Sequence, residues 1–258
     1  MYTINCKFKI NVMYLAKKFN FLQRTSIRIP TLVLLGLIVS IISGCDMDDN
    51  EDLQPLPDIA YVGLYHASPD TPPLDVNMEN GRINYYPLRY SEYTDYLNFY
   101  AGERTMRVNP FNASNVVLDT TFNFEPNLAY SLFYVDEYAD IKALLIEDNP
   151  ESLADGESAV RFIHLSPDSP QVDLVRMEDE ENTILVEDSE YLNTTPFTVV
   201  DSGVQSFTVN SSDSDEELLS LPDLNLRSGG VYTFVVRGYS NPPSGNQHNL
   251  SADVLINN

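Results

Sequence analysis

The chain contains no tryptophan, only two cysteines and three histidines, and 15 basic residues against 38 acidic ones. Each shortage excludes something. A nucleic-acid surface needs concentrated positive charge, so no nucleic-acid partner is expected. Cys6 lies in a basic leader and Cys45 ends an apolar run, which leaves residues 46–258 without a thiol for a disulfide or a thiolate metal site. Beyond Cys45 the only imidazole bases are His66, His164 and His248. No serine sits in a Gly-x-Ser-x-Gly elbow, and there is no Walker loop, dinucleotide-binding glycine pattern or His-Glu-x-x-His. A pair of carboxylates for glycoside hydrolysis cannot be singled out among so many acids. The expectation is a protein that is not an enzyme. Apolar residues at a helical period are also missing over any useful length.

What is present begins with an uneven distribution of charge. Residues 1–44 hold six basic groups and no acid, so the remaining 214 residues carry a formal −29. The basic leader runs into Thr31-Leu-Val-Leu-Leu-Gly-Leu-Ile-Val-Ser-Ile-Ile-Ser-Gly44, shorter than the roughly 20 residues of a permanent membrane span. It reads as the apolar region of a signal peptide covering 1–44, with Met13 as an alternative start. Ile42-Ser-Gly-Cys45 resembles the lipobox of bacterial lipoproteins. That resemblance implies cleavage before Cys45, acylation of its sulfur and a lipid bilayer as partner, since two or more acyl chains anchor stably. Five acids among residues 46–52 repel one another and make 45–58 a tether. The acidic run also resembles the surface-export signal of Bacteroidetes lipoproteins, which implies an outer-membrane lipoprotein displayed on the surface rather than facing the periplasm.

The stretch Val62-Gly-Leu-Tyr-His-Ala-Ser-Pro-Asp-Thr-Pro-Pro-Leu-Asp-Val76 occurs again as Val160-Arg-Phe-Ile-His-Leu-Ser-Pro-Asp-Ser-Pro-Gln-Val-Asp-Leu174. His66, Ser68, Pro69, Asp70 and Asp75 recur as His164, Ser166, Pro167, Asp168 and Asp173, always 98 residues later. Gly102–Val108 and Ala129–Phe133 find counterparts in Gly203–Val209 and Val231–Val235. A repeat of this length marks a repeated domain. Short runs of β-forming residues separated by turn signals (Ser68-Pro-Asp70, Asn80-Gly81, Ala101-Gly102, Glu125-Pro-Asn127) predict seven or eight strands in the first copy. The predicted fold is all-β: tandem immunoglobulin-like β-sandwich domains at 59–150 and 159–258, following the signal peptide and acidic tether. Val117, Leu118, Phe122, Phe124, Leu132, Phe133, Val135, Leu144, Leu145 and Ile146 are the expected contributors to the first core.

The His-x-Ser-Pro-Asp-x-Pro-x-x-Asp stretches, with the glycine-led strand and the later tyrosine strand, resemble the bacterial cell-envelope repeat known as domain of unknown function 4397. The resemblance spans about 59–258 and implies an extracytoplasmic β domain without assigning chemistry. Repeat one departs from the pattern with Gly63 where arginine is common, whereas repeat two keeps Arg161.

Two residue groups are candidates for function. His66, Asp70 and Asp75, with their counterparts His164, Asp168 and Asp173, offer imidazole and carboxylate. Yet Ser68, Pro69 and Asp70 (Ser166, Pro167 and Asp168 in the second copy) have the chemistry of a turn. A structural role is expected, with no metal and no cofactor; calcium would be the ion best suited to such oxygens. The second group is Tyr85, Tyr86, Tyr90, Tyr93, Tyr96 and Tyr100, six tyrosines in 16 residues. They form either a sheet core or a recognition patch for a glycan or an envelope protein. The expected function is a non-catalytic, membrane-anchored surface binding or adhesion module. The alternatives are an extracytoplasmic hydrolase or metal-dependent enzyme, and a structural spacer.

Intact-mass analysis of the chain recovered from membranes should find residues 1–44 removed and Cys45 acylated, and Cys45→Ala should leave the precursor uncleaved. An unmodified, unprocessed Cys45 would overturn the anchor.

Overall fold

A computed structural model describes residues 57–79, 81–179 and 181–257. The leader, Cys45 and the tether through residue 56 lie outside the described residues. Sixteen strands follow in two sets of eight. The first set is β1 (Ile59–His66), β2 (Leu74–Met78), β3 (Gly81–Arg82), β4 (Leu97–Tyr100), β5 (Gly102–Pro110), β6 (Leu118–Phe124), β7 (Ala129–Val135) and β8 (Lys142–Glu147). The second is β9 (Glu157–Leu165), β10 (Val172–Met177), β11 (Thr183–Ser189), β12 (Thr198–Asp201), β13 (Gly203–Ser211), β14 (Glu217–Leu226), β15 (Val231–Arg237) and β16 (Ser251–Ile256). Among the described residues the only helical element is a 3-10 turn at Tyr138–Asp140.

Each set forms two four-stranded sheets. Their orders are β4-β1-β7-β8 and β3-β2-β5-β6 in the first, and β12-β9-β15-β16 and β11-β10-β13-β14 in the second. The second set therefore repeats the first strand for strand. In both, the first and seventh strands run parallel at the sheet centre and every other pairing is antiparallel. The fold is the all-β sandwich that the pattern of short strands predicts. Strand membership is 1, 4, 7, 8 against 2, 3, 5, 6, whereas a seven-stranded immunoglobulin sandwich groups 1, 2, 4, 5 against 3, 6, 7. The crossing from one sheet to the other occurs at Gly102 and Gly203, with φ of 96° and 118°. A side chain there would force an unfavourable backbone, which is why glycine stands at both positions. The β2–β3 ladder pairs Met78 with Gly81. Gly81, expected in the turn, is thus already paired within β3.

The first sandwich closes on Val62, Leu64, Leu74, Val76, Met106, Val108, Phe124 and Leu132, drawn from both its sheets. Val160, Phe162, Leu174, Phe207, Val209 and Phe234 do the same in the second. Alternation sends the intervening residues to the opposite face. There Tyr65, Ala67, Phe133 and Val135 of the first sandwich form one buried cluster with Ile163, Leu165, Val235 and Leu255 of the second. The β1/β7 sheet and the β9/β15 sheet are therefore packed face to face, each buried on both sides. Of the residues expected in the first core, Phe124 and Leu132 are in it, and Val117, Leu118, Phe122 and Leu145 pack against it. Phe133, Val135, Leu144 and Ile146 instead face the seam.

The seam also holds a polar network. Arg161, 2% exposed, pairs with Asp148 and donates Nη1–H to the Glu147 carbonyl (3.0 Å) and Nε–H to Thr233 Oγ1 (2.8 Å). Its guanidinium lies 4.6 Å from the Phe197 ring centroid. Asp148 Oδ2 accepts from Ser131 Oγ (2.6 Å) and Tyr96 Oη (2.7 Å). Asn257 completes the set, accepting from Thr233 Oγ1 (2.6 Å) and donating to Ser131 Oγ (3.1 Å). A buried ion pair this well bonded is costly to break because the remaining charge is left without a partner. In urea unfolding, Asp148→Ala should destabilise the chain by about 3–5 kcal/mol. The double variant Asp148→Leu, Arg161→Met should lose much less, because no charge is stranded. Equal loss in both would show that the pair acts through packing alone.

Candidate binding site on the first sandwich

The repeated motif is built as a set of staples. His66 is fully buried. Its Nδ1 accepts the Ser68 N–H (3.3 Å), and Nε2 lies 3.3 Å from the Pro72 carbonyl. Ser68 Oγ bonds Thr71 Oγ1 within the turn. Asp70 turns away from this group to accept the Tyr138 N–H (2.7 Å) in the loop after β7. Asp75 accepts from Arg82 Nη1 (3.0 Å) and from the Asn112 N–H (3.3 Å). The second copy repeats the aspartate contacts, whereas the His164 ring nitrogens and the Ser166 hydroxyl are buried without the side-chain bonds that His66 and Ser68 make. Asp168 accepts the N–H groups of Ser240 (2.7 Å) and Asn241 (2.8 Å) after β15, and Asp173 holds the Asp188 N–H (2.8 Å) and Ser212 Oγ. Each motif thus ties the first strand to the loops at one end of its sandwich. Among the described residues no three His, Cys, Asp or Glu side chains are placed to hold a metal ion.

Burial in this packing pushes the His66 imidazole down to about 4, with the Pro72 carbonyl opposing the shift. His164 is lowered for the same reason, opposed by the backbone of Glu190 and Ser189. Both rings are buried, which places them away from solvent and from any substrate.

The six tyrosines divide. Tyr96 bonds Asp148 in the seam, and Tyr93 Oη lies 3.3 Å from Ser131 Oγ. Tyr90 faces Arg237 of the second sandwich, whose guanidinium carbon lies 5.0 Å from its ring centroid, and packs 4.0 Å from His248. These three hold the sandwiches together, and we remove them from the expected recognition patch. Tyr85, Tyr86 and Tyr100 are 82%, 70% and 56% exposed. The Tyr85 and Tyr86 rings meet edge to face, 4.7 Å apart. Buried Asn84 holds their loop, accepting the Val76 N–H (2.8 Å) and donating to the carbonyls of Leu74 (2.9 Å) and Tyr86 (2.7 Å).

Tyr100 ends β4, paired with Ile59 of β1. β3 and β4 are edge strands of opposing sheets. The mouth between them is a cleft of about 350 Å³ lined by Glu79, Arg82, Leu97, Asn98, Tyr100 and Arg104, among others. Arg104 sits 6.0 Å from the Tyr100 ring centroid and is fixed by the carbonyls of Tyr100 (3.0 Å), Ala101 (2.9 Å) and Glu103 (3.1 Å). An aromatic face, apolar walls and a few polar groups on a rigid frame are the usual makings of a small-ligand site. Sequence reasoning placed Tyr100 in a patch with five neighbours. It missed Arg82, Asn98 and Arg104, which only the closeness of two sheet edges brings together.

Residues 60–175 match the family described as Domain of unknown function (DUF4397), a stretch running from β1 into β10. No curated protein sequence matches the chain. Solved structures similar to it include a family CBM26 module of Eubacterium rectale Amy13K in complex with maltoheptaose, at 8% identity and a TM-score of 0.24, covering 76% of this chain and 96% of that one. A streptococcal virulence factor that binds alpha-glucan aligns at 13% identity and a TM-score of 0.22 over 67% and 92%. A Bacteroides ovatus protein described as a candidate for cell adhesion aligns at 10% and 0.25 over 78% and 97%. At these identities and TM-scores no site or ligand transfers from them.

The buried neutral histidine makes the fold sensitive to acid. The unfolded imidazole takes up a proton near 6.5 and the folded one near 4, so between these values the unfolded state binds more protons. His66 therefore contributes stability above pH 6.5 that is lost as the pH falls toward 4, by up to about 3 kcal/mol. Urea midpoints measured from pH 7 to 4.5 should fall less steeply for His66→Gln than for the unaltered chain. Identical slopes would remove the histidine from the effect.

Proposed function

We propose that this chain is a non-catalytic, lipid-anchored envelope protein whose first sandwich captures a glycan at the cleft between β3 and β4. The observation that carries this reading is Tyr100: its ring is more than half exposed, yet its backbone is locked in the β1–β4 ladder and its carbonyl is held by Arg104. An aromatic side chain on a fixed backbone costs no backbone entropy to use, and sugar rings present the apolar C–H faces that stack on it. Asn98, Arg82 and Glu79 around the mouth supply donors and acceptors for hydroxyls. Tyr85 and Tyr86 extend an exposed aromatic surface from the same β3–β4 segment. Cys45 supplies the anchor and residues 46–58 the tether, which together give outer-membrane attachment with the sandwiches on the cell surface. The second sandwich serves as a rigid support.

A glycan array probed with the purified full chain should retain at least one glycan class. Tyr100→Ala should weaken that binding by about tenfold, near the upper end for one aromatic contact, without lowering the melting temperature. Tyr85→Ala with Tyr86→Ala should weaken it less. Failure to retain any glycan, or retention unaffected by Tyr100→Ala, would overturn the assignment. Protease shaving of intact cells should remove the sandwiches; their protection would place the protein on the periplasmic side.

A further inference from the structure

Tyr100 and Arg104 have a second side. Beyond them the surface opens into another depression, of about 570 Å³, lined by Asp58, Asn123, Phe124 and Glu125 as well as by the same Tyr100 and Arg104. The two hollows share these side chains as a common wall. One lies in the mouth between β3 and β4. The other lies where the chain enters β1, against the end of β6.

Arg104 is a stiff partition. All three of its nitrogens donate to carbonyls of its own segment, at 2.9–3.1 Å. Three of its five N–H groups are thereby committed to backbone, which fixes the guanidinium in place. Arg82, the other cation in the wall, is paired with Asp75 at 3.0 Å. The remaining charged groups around both hollows include Glu79, Asp58 and Glu125, on a chain whose net charge is −23. Arg104 is bonded only to neutral carbonyls, so its one positive charge faces these three carboxylates; both hollows taken together are net negative, and a polyanion would meet repulsion. Neutral hydroxyls, in contrast, find acceptors in the carboxylates and both donor and acceptor in Asn98 and Asn123.

We infer that the two hollows are successive subsites of one groove that takes a neutral, linear oligosaccharide across Tyr100, so that chain length sets affinity. This rests on the glycan reading of the first hollow and adds to it a second subsite, a ligand charge and a length preference. Tyr100 stacks on the unit at the partition, and Asn123 hydrogen-bonds a unit that only a longer chain can reach.

The test is calorimetric titration of the full chain in detergent with neutral gluco-, manno- and xylo-oligosaccharides of two to six units, and with oligogalacturonides as the anionic series. Affinity for the bound neutral series should rise by about tenfold or more from the shortest to the longest member. Asn123→Ala, at an exposed position, should flatten that rise while leaving the shortest ligand's affinity unchanged. Tyr100→Ala should weaken every member. Affinity independent of length, or a rise untouched by Asn123→Ala, would remove the second subsite while leaving the first hollow as a glycan site. Preference for the anionic series would overturn the neutral assignment. Absence of heat with every series would overturn this inference for the probed sugars, and the glycan array separately decides whether the first-hollow reading falls with it.

Discussion

A buried ion pair lies at the centre of the polar network between the two sandwiches. Arg161 and Asp148 sit between two sheets that are each apolar on the facing side, where neither charge could stand alone. Their bonds to Glu147, Thr233, Ser131, Tyr96 and Asn257 satisfy the remaining donors and acceptors from both sandwiches at once. Apolar contact alone would allow the sheets to slide. A network that is satisfied in one register makes every other register expensive, so the seam is fixed in position as well as in energy.

The same constraint explains a departure in the repeat. The counterpart of Arg161 is Gly63, and a side chain there would bring its Cβ within 2.8 Å of the Tyr93 ring. Two copies of one sheet, packed on equivalent faces, bring equivalent positions near one another, as in an isologous dimer. An arginine in both copies would place two cations in a network with one carboxylate. Glycine in one copy leaves space for Tyr93 and leaves Asp148 to a single partner. The tyrosine-rich segment is thus partly a consequence of the seam: Tyr93 fills the space at Gly63 and Tyr96 bonds Asp148.

The fold class could be read from the sequence because alternation, turn residues and the internal repeat all agreed. The hydrophobic surface was harder to assign. Stretches such as Ser131-Leu-Phe-Tyr-Val135 and Thr233-Phe-Val-Val236 are apolar on both faces, the mark of a strand buried on both sides. Read in one sandwich, they place Phe133 and Val135 in its core; the second sheet that they meet belongs to the other copy. The tyrosine cluster had the same ambiguity. Spacing does not distinguish Tyr96, whose hydroxyl reaches Asp148, from Tyr100, whose ring faces solvent, because that difference depends on which partner lies beyond the strand. The cleft was less legible still, since Glu79, Arg82, Asn98 and Arg104 belong to three segments joined only by the closing of sheet edges.

The two copies also separate what the fold requires from what it does not. Arg104 holds the Tyr100 carbonyl at 3.0 Å, and at the matching place in the second sandwich Gln205 Nε2 reaches the Asp201 carbonyl at 3.4 Å. The backbone clamp is the same, made by a neutral amide under an aspartate in one copy and by a guanidinium beside a tyrosine in the other. Glutamine and aspartate are therefore sufficient for the turn before the fifth strand. The ring of Tyr100 and the planar cation beside it exceed that requirement, and Tyr85 and Tyr86 lie in an excursion that the longer β11 replaces in the second copy. An exposed aromatic residue that neither packing nor turn geometry demands adds apolar surface against solvent. Tyr85, Tyr86 and Tyr100 are residues of this kind, and all three belong to the segment from β3 to the end of β4.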